Sequence, residues 1–421
     1  MKSGFWRYSD ELILLGVSLF LFLVASNTQA GWLYLLNSIL LGTLLAGFII
    51  SRFSLRGLAI ERRLPFIASE GETIRVTLRV LNKNRLASYF FSIEEFFPAA
   101  SPENLKCGRM FVFERLPGKA TDFVTYEAEC YKRGIYTFPP LRVSAGAPIG
   151  FFNAIKALNV PGVLTVLPTA PALRDGHFST ARFESSPHNT ARMRSGHSHD
   201  FLGIRQHQPG ESTRMLHWPS VARTGILMLK EFENPVGSQV FIFLDTNRRF
   251  HTGLGKEASI EYAVKLATSV ARHALLHGQA IRLMAARQGE FFALKTRDLL
   301  QALRWLAAVE ADGEMETEKM FVKLNEEIPR GSRLMLILPE PSVNPELFVP
   351  LMDKKIKCHP LLLKTETFIE NIESVAPAPD ESPQQEVIIL NRMRSLGLSP
   401  VVCGRGDDLL RCLREQGGLF K

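Results

Sequence analysis

Nineteen consecutive residues without a charge, Trp32 to Ile50, constrain this chain more than any other feature. As a helix the run (WLYLLNSILLGTLLAGFII) rises about 30 Å, close to the roughly 20 apolar residues that cross a bilayer. A helix in a soluble core normally keeps some polar surface, so a membrane span is expected. A second apolar run, Ile13 to Ala25, precedes it and stretches from Leu12 to about Ala30. Only NTQAG separates the two, which leaves room for a tight hairpin and nothing larger. A cleaved signal peptide would account for the first run alone, whereas a helical hairpin accounts for both. Lys2 and Arg7 lie before the first run and Arg52, Arg56, Arg62 and Arg63 after the second, while the connection has no basic residue. Both ends are therefore expected on the cytoplasmic side, with everything after about residue 52.

A chain of 421 residues exceeds what one ordinary core organises, so two or three domains are expected. Its hydrophobic share of 46% and charged share of 22% are those of a globular protein. A net charge of +8 is mild at this length and suits a neighbour of an anionic membrane at least as well as a nucleic-acid binder. Cys107, Cys130, Cys358, Cys403 and Cys412 are scattered, odd in number and without CxxC spacing. That argues against a disulfide framework or a zinc knuckle and for reduced, buried thiols.

From Leu58 to about Pro168 the pattern is that of strands. In GETIRVTLRVLNKN, Ile74, Val76, Leu78 and Val80 alternate with Thr73, Arg75, Thr77 and Arg79, and Asn82 to Asn84 supplies a turn. Shorter runs recur at Phe90–Phe96, Arg109–Phe113, Phe123–Cys130 and Leu141–Val143, with turns at Pro117-Gly118 and Arg133-Gly134. A small β-sandwich is the expected form. Residues 171–195 lose apolar periodicity and gain arginine, which reads as a linker. From Val240 the chain alternates strands and helices. VFIFL is a strand buried on both faces and ends in Asp245, and a helix follows over about Lys256 to His277. Strands are expected at Ile281–Ala285, Phe291–Leu294, Arg333–Leu338 and Pro400–Cys403. Helices are expected at Arg297–Val309, Glu316–Glu327, Gln384–Leu396 and from Asp407. Such alternation implies a parallel sheet covered on both faces. The resulting division is a helix pair over 1–56, a β-sandwich over 57–170, a linker over 171–195, a charged segment over 196–235 and an α/β domain over 236–421.

Two groups of residues carry candidate chemistry. Asp245 stands at the carboxyl end of a central strand, where open α/β sheets bind ligands. A von Willebrand A-type domain places DxSxS there to hold Mg²⁺ through hard oxygens. Here the run is Asp245-Thr246-Asn247-Arg248-Arg249, which keeps the first acid and an amide oxygen but puts Arg249 at the second serine. A structural Asp245 that caps the following loop is the competing reading. The second group lies between Ser195 and Asn234, where Asp200, Arg205, Glu211, Arg214, Arg223, Lys230 and Glu231 surround Trp218. Paired with each other these charges make a structural clasp, and unpaired they make a partner-binding surface. Nucleic-acid binding is not expected, because Asp200, Glu211, Glu231 and Glu233 neutralise the arginines. His177, His188, His197, His199, His207 and His217 cluster without a zinc-ligand spacing. Neither GxSxG nor GxxxxGK[ST] occurs, so neither a nucleophile elbow nor a P-loop is expected.

On that charged segment the chain resembles the bacterial family called domain of unknown function fifty-eight. The matching residues are Gly196, Asp200-Phe201, Arg205, Pro209-Gly210-Glu211, Arg214, Trp218 and Ala222-Arg223. Asp200 replaces the commoner glutamate, Glu211 the commoner aspartate, and His217 stands where an acid is common. The resemblance extends through the hairpin and the β domain (RGIYTFPPLRVSAGAPIGFF) to a von Willebrand A-like end. It implies a multi-pass protein of the bacterial inner membrane, a non-enzymatic adaptor or scaffold. Its partner would be a MoxR-type AAA+ ATPase, with no resident cofactor. The alternative is a divalent-metal-dependent binder or hydrolase that holds Mg²⁺ at Asp245 and Asn247.

Overall fold

The computed structural model describes residues 9–104, 108–146, 153–170, 201–206, 217–232, 239–287, 290–369, 382–409 and 411–412. The linker at 171–195 and six signature residues, Gly196, Asp200, Pro209, Gly210, Glu211 and Arg214, lie outside them. So do the histidines of the cluster other than His217. The chain is multidomain, with an N-terminal apolar helix pair and several sheets. It divides into two compact units, Met1–Pro168 and Thr169–Lys421.

In the first unit the two apolar runs become α1 (Ser9–Thr28) and α2 (Gly31–Ser54). Gln29, at a φ of 52°, and Ala30 form the whole connection. Among the described residues α2 is long and apolar enough to cross a membrane, and the apolar part of α1, Ile13–Thr28, is shorter. Large apolar side chains such as Phe20, Leu35 and Leu45 point outward, while Ser18 and Asn37 are buried between the helices. The Ser18 hydroxyl donates to Asn37 Oδ1 at 2.7 Å, so the polar groups satisfy each other.

Ten strands follow: β1 (Leu58–Arg63), β2 (Ile67–Ser69), β3 (Thr73–Asn82), β4 (Ser88–Glu95), β5 (Arg109–Leu116), β6 (Thr121–Glu129), β7 (Gly134–Thr137), β8 (Leu141–Gly146), β9 (Asn153–Leu158) and β10 (Val163–Leu167). They pair as β1-β3-β6, β2-β10-β7 and β5-β4-β8-β9. All pairings are antiparallel except β2 with β10. The alternation in β3 has the expected consequence, since Ile74, Val76, Leu78 and Val80 are all buried. Leu78 and Val80 pack with Phe91, Ile93 and Val143, and Ile74 and Val76 with Phe97, Phe138 and Leu164. Each such side chain contributes roughly 1.5–3 kcal/mol by leaving water. One charged pair lies inside this unit. Arg62 Nε meets Glu95 Oε1 at 2.6 Å with both side chains almost fully buried, and the guanidinium also donates to the Val160 carbonyl and stacks on Phe138.

The second unit opens with a two-stranded antiparallel ribbon, β11 (Phe201–Gln206) and β12 (Met228–Phe232), with α3 (Trp218–Thr224) between them. Helix α3 has seven residues. Pro219 sits in its first turn, where a missing N–H is harmless, and Gly225 ends it at a φ of 69°.

The large sheet comprises β13 (Gln239–Leu244), β14 (Ala280–Arg287), β15 (Glu290–Thr296), β16 (Arg333–Pro339), β17 (Lys357–Leu363) and β18 (Val401–Cys403). Its order is β15-β14-β13-β16-β17-β18. The helices are α4 (Ser259–Leu276), α5 (Leu299–Ala307), α6 (Thr317–Glu327), α7 (Val349–Asp353) and α8 (Ser382–Ser395). Val240, Ile242 and Leu244 pack on one face with Ala263, Val264 and Leu306, and Phe241 and Phe243 on the other with Phe321, Leu324 and Phe348. That is why β13 is apolar from Val240 to Leu244.

Three expectations need correcting. The sheet is mixed, because β15 runs antiparallel to β14 after a connection of two residues, which cannot carry a parallel crossover. β17 was not expected, since Pro360 interrupts KCHPLLL; it fits because β18 pairs only with Leu361–Leu363 and leaves an edge at Pro360. Cys403 and Cys412 are not scattered but brought side by side, with Cα atoms 6.2 Å apart, whereas Cys130 and Cys358 are separate buried thiols. The chain folds back after β18, and a nine-residue separation carries no signature of that return.

Candidate functional site

Asp245 follows the last residue of β13 and is 1% exposed. Its backbone N–H donates to the Ile337 carbonyl of β16, which fixes it at the carboxyl edge of the sheet. Its side chain starts a tight loop: Oδ1 accepts from the Asn247 amide at 2.9 Å, and Asn247 Oδ1 accepts in turn from the Arg249 amide at 3.1 Å. Asn247 Nδ2 donates to the Met315 carbonyl at 3.0 Å, and the Thr246 hydroxyl donates to the Ala286 carbonyl. Arg248 N–H donates to the Gly313 carbonyl at 3.1 Å and Gly313 N–H to the Thr246 carbonyl at 2.9 Å. Glycine is required at 313. A Cβ there would stand 2.8 Å from Thr246 Oγ1 and 3.0 Å from the Ala286 carbonyl oxygen.

Beyond this loop, a cleft of about 290 Å³ opens between the end of β13 and the segments after it. Asn247, Arg249 and Phe250 form one wall, Glu314, Glu316, Thr317 and Glu318 a second, and Ser342, Val343 and Asn344 a third. The last three follow β16, so the cleft lies where neighbouring strands lead away in opposite directions along the sheet. Glu314 pairs with Arg248 at 3.4 Å and Glu316 with Lys319 at 2.8 Å, all well exposed, so these pairs contribute little to stability. The Lys319 ammonium holds the Glu316 carboxyl below its ordinary pKa, helped slightly by Arg249.

Burial pushes the Asp245 pKa up to about 6, against the lowering effects of the Asn247 amide and the Ser342 hydroxyl. Asp245 Oδ2 has no hydrogen-bond partner, and the Ser342 hydroxyl donates to the Pro339 carbonyl at 2.8 Å. His251 bonds the Asp245 carbonyl through Nε2 at 2.8 Å and Ser259 Oγ through Nδ1 at 2.9 Å. Burial lowers its pKa, so it stays neutral at physiological pH.

A divalent ion such as Mg²⁺ wants about six oxygens in near-octahedral array. Asp245 Oδ1 and Asn247 Oδ1 are engaged by backbone amides, and Asn344 Oδ1 accepts from the Glu346 amide at 3.1 Å. Asp245 Oδ2 is an uncommitted carboxylate oxygen, with the hydroxyls of Thr317 and Ser342 and the exposed carboxylates of Glu314, Glu316 and Glu318 along the walls. This donor set falls short of a preformed cation site.

Among the described signature residues, Phe201, Arg205, Trp218 and Arg223 do not line this cleft. Trp218 and Arg223 belong to α3 and are exposed, Trp218 at 66%. Phe201 and Arg205 lie on β11, where Arg205 faces Leu229 across the ribbon and Glu231 faces Gly203. His217 ties α3 to the ribbon, its amide donating to the Met228 carbonyl and its Nδ1 contacting Ser220 Oγ at 2.8 Å. Sequence reasoning missed Gly313, Thr317, Ser342 and Asn344. Ser342 and Asn344 follow β16 and share the edge of Asp245 only because β16 adjoins β13, an adjacency that the sequence does not print.

Residues 203–318 match the family model described as "Protein of unknown function DUF58". This stretch is a DUF58 domain. It runs from β11 through Asp245 and Asn247 to the first acids of the cleft rim. The chain is also similar to the uncharacterized protein YeaD of Bacillus subtilis (strain 168), at 23% identity over 312 residues, 72% of this chain and 74% of that one. Among solved structures, the CARDB domain of the PF1109 protein from Pyrococcus furiosus aligns with 26% of this chain and 87% of that one, at 11% identity and a TM-score of 0.20. The alkylpurine DNA glycosylase AlkC of Pseudomonas fluorescens aligns at 12% identity and a TM-score of 0.17, over 31% of this chain and 36% of that one. At those scores neither likeness bears on the fold or the chemistry of the DUF58 domain.

Proposed function

We propose that this chain is a non-enzymatic adaptor of the bacterial inner membrane, held there by α1 and α2 with both units on the cytoplasmic side. In this reading the strands of the first unit form a β-sandwich. Shared packing of β3 with β4 and β8, and with Phe138 and Leu164, supports it. The second unit is von Willebrand A-like, and its carboxyl-edge cleft takes a protein partner, a MoxR-type AAA+ ATPase. The observation that carries the reading is the sheet order. Counted from β13, it is 3-2-1-4-5-6 with the third strand antiparallel, and the cleft lies beyond the ends of β13 and β16, at the topological switch point. The cleft pairs mixed charge with small polar side chains and Phe250, a surface suited to a polypeptide. The test is co-purification of a co-expressed MoxR-type ATPase with the full-length chain from membranes. Arg249→Ala and Phe250→Ala, both on the cleft wall, should each lower recovery about tenfold, as truncation of an anchoring side chain does. Undiminished recovery with folded variants would end this reading.

The orphaned Asp245 Oδ2 favours a second reading, a divalent-metal-dependent binder or hydrolase at Asp245 and Asn247. Titration calorimetry with Mg²⁺ and Mn²⁺ separates the two. Neither heat nor a thermal shift would dispose of the metal.

A further inference from the structure

Three segments of the first unit meet at the end of α2. Lys83 N–H donates to the Gly57 carbonyl at 2.8 Å, and Lys119 N–H donates to the Asn84 carbonyl at 2.9 Å. Lys119 Nζ reaches the Lys83 carbonyl at 2.7 Å. Tyr89 N–H donates to Ser54 Oγ at 3.1 Å. Gly118 lies so close to the Arg85 carbonyl that a Cβ would overlap it, at 2.0 Å. The join is therefore built by backbone contacts at defined positions.

What it displays is one-signed. Residues 52–57, 83–90 and 115–119 contain Arg52, Arg56, Lys83, Arg85, Arg115 and Lys119 and no acid, and all six cations are exposed. Exposed apolar side chains stand among them: Leu86 at 74%, Phe53, Tyr89 and Phe90. Three guanidiniums lie over rings, Arg52 on Phe48, Arg56 on Phe53 and Arg115 on Tyr89. A regular strand would turn only one of Tyr89 and Phe90 outward. Phe90 instead takes a φ of 45°, and both rings face out while Phe91 stays buried. Such a backbone is unfavourable for phenylalanine, and strain of this kind gathers where a surface is used.

We propose that this basic, aromatic collar docks on the anionic headgroups of the bilayer, the turns at 83–90 and 115–119 lying on the lipid surface. The inference rests on the membrane anchorage proposed above. Continuity with the apolar surface of α2 argues for lipid as the occupant. So does the mixture of side chains, since rings and aliphatic stems settle at the headgroup level while arginine and lysine reach phosphate. Each basic side chain at such a surface is worth roughly a fivefold shift toward the docked state.

The test uses the full chain, inserted in vesicles of phosphatidylcholine or of phosphatidylcholine and phosphatidylglycerol in equal parts. Hydrogen exchange is followed at 83–90 and 115–119. With phosphatidylglycerol, exchange in both turns should slow about fivefold or more and recover in high salt. The difference should vanish in K83Q/R85Q/R115Q/K119Q, while residues 239–244 exchange alike throughout. Equal exchange in the two lipids, with the chain still resistant to carbonate extraction, overturns the collar alone. Extraction of the chain by carbonate overturns the anchorage itself. Protection by added nucleic acid or soluble protein, and not by the anionic lipid, would also overturn the proposal.

Discussion

Asp245 is a buried carboxylate with one bonded and one orphaned oxygen, and its environment opposes ionisation. Burial lifts its pKa from 3.8 to about 6, so between those values the native state holds more protons than the unfolded chain. Its contribution to stability therefore falls as pH rises from about 4 to 6, and the whole penalty is present at pH 7. His251, whose pKa is lowered from 6.5, acts in the opposite sense and loses stability as pH falls below that value. Comparing wild type with Asp245→Asn cancels the histidine. The variant should gain roughly 2–3 kcal/mol at pH 7 and show no advantage at pH 4, read from urea midpoints. A flat difference across that range would refute the assigned ionisation. Gly313→Ala should lose about 1–3 kcal/mol, because both groups its Cβ meets are held by the hydrogen bond from Thr246 to Ala286. Of this edge, Asp245 and Asn247 were legible in the sequence, because an acid closing a continuous apolar run has one obvious place. Ser342 and Asn344 were not, since nothing local in PEPSVN tells which strand end they will face.

At the level of elements, legibility followed periodicity. β3 was readable from four alternating aliphatics, and α4 from its apolar stripe at Ile260, Ala263, Val264 and Ala267. Direction was not readable: β15 looks like any apolar strand, and only the two-residue connection to β14 makes it antiparallel. β17 hid behind Pro360, because edge and centre of a sheet are settled by its neighbours. The Arg62–Glu95 pair shows the same dependence on tertiary context. It joins β1 to the end of β4, and its buried acid has a raised pKa because burial outweighs the pull of Arg62. Arg62→Met should destabilise the full chain by about 3–5 kcal/mol, because the buried Glu95 loses its ion-pair partner. Adding Glu95→Leu should restore most of the loss. A double variant no better than the single one would show that the arginine acts by packing on Phe138 instead.

For the whole molecule, separate cores imply separate folding. The first unit packs around Leu78, Phe91 and Val143 with Ile74, Phe97 and Leu164, and the second around the two faces of β13. Residues 169–421 expressed alone should unfold in a single cooperative step with native-like helix content. A non-cooperative melt would show that this unit depends on the first.

The edge strand β18 has a consequence of its own. It offers only Val401–Cys403, and two of its three residues are buried. A long bare strand would template sheet growth from molecule to molecule. Three residues give an incoming strand too few backbone partners to hold. The brevity of β18 thus blunts this edge of the sheet.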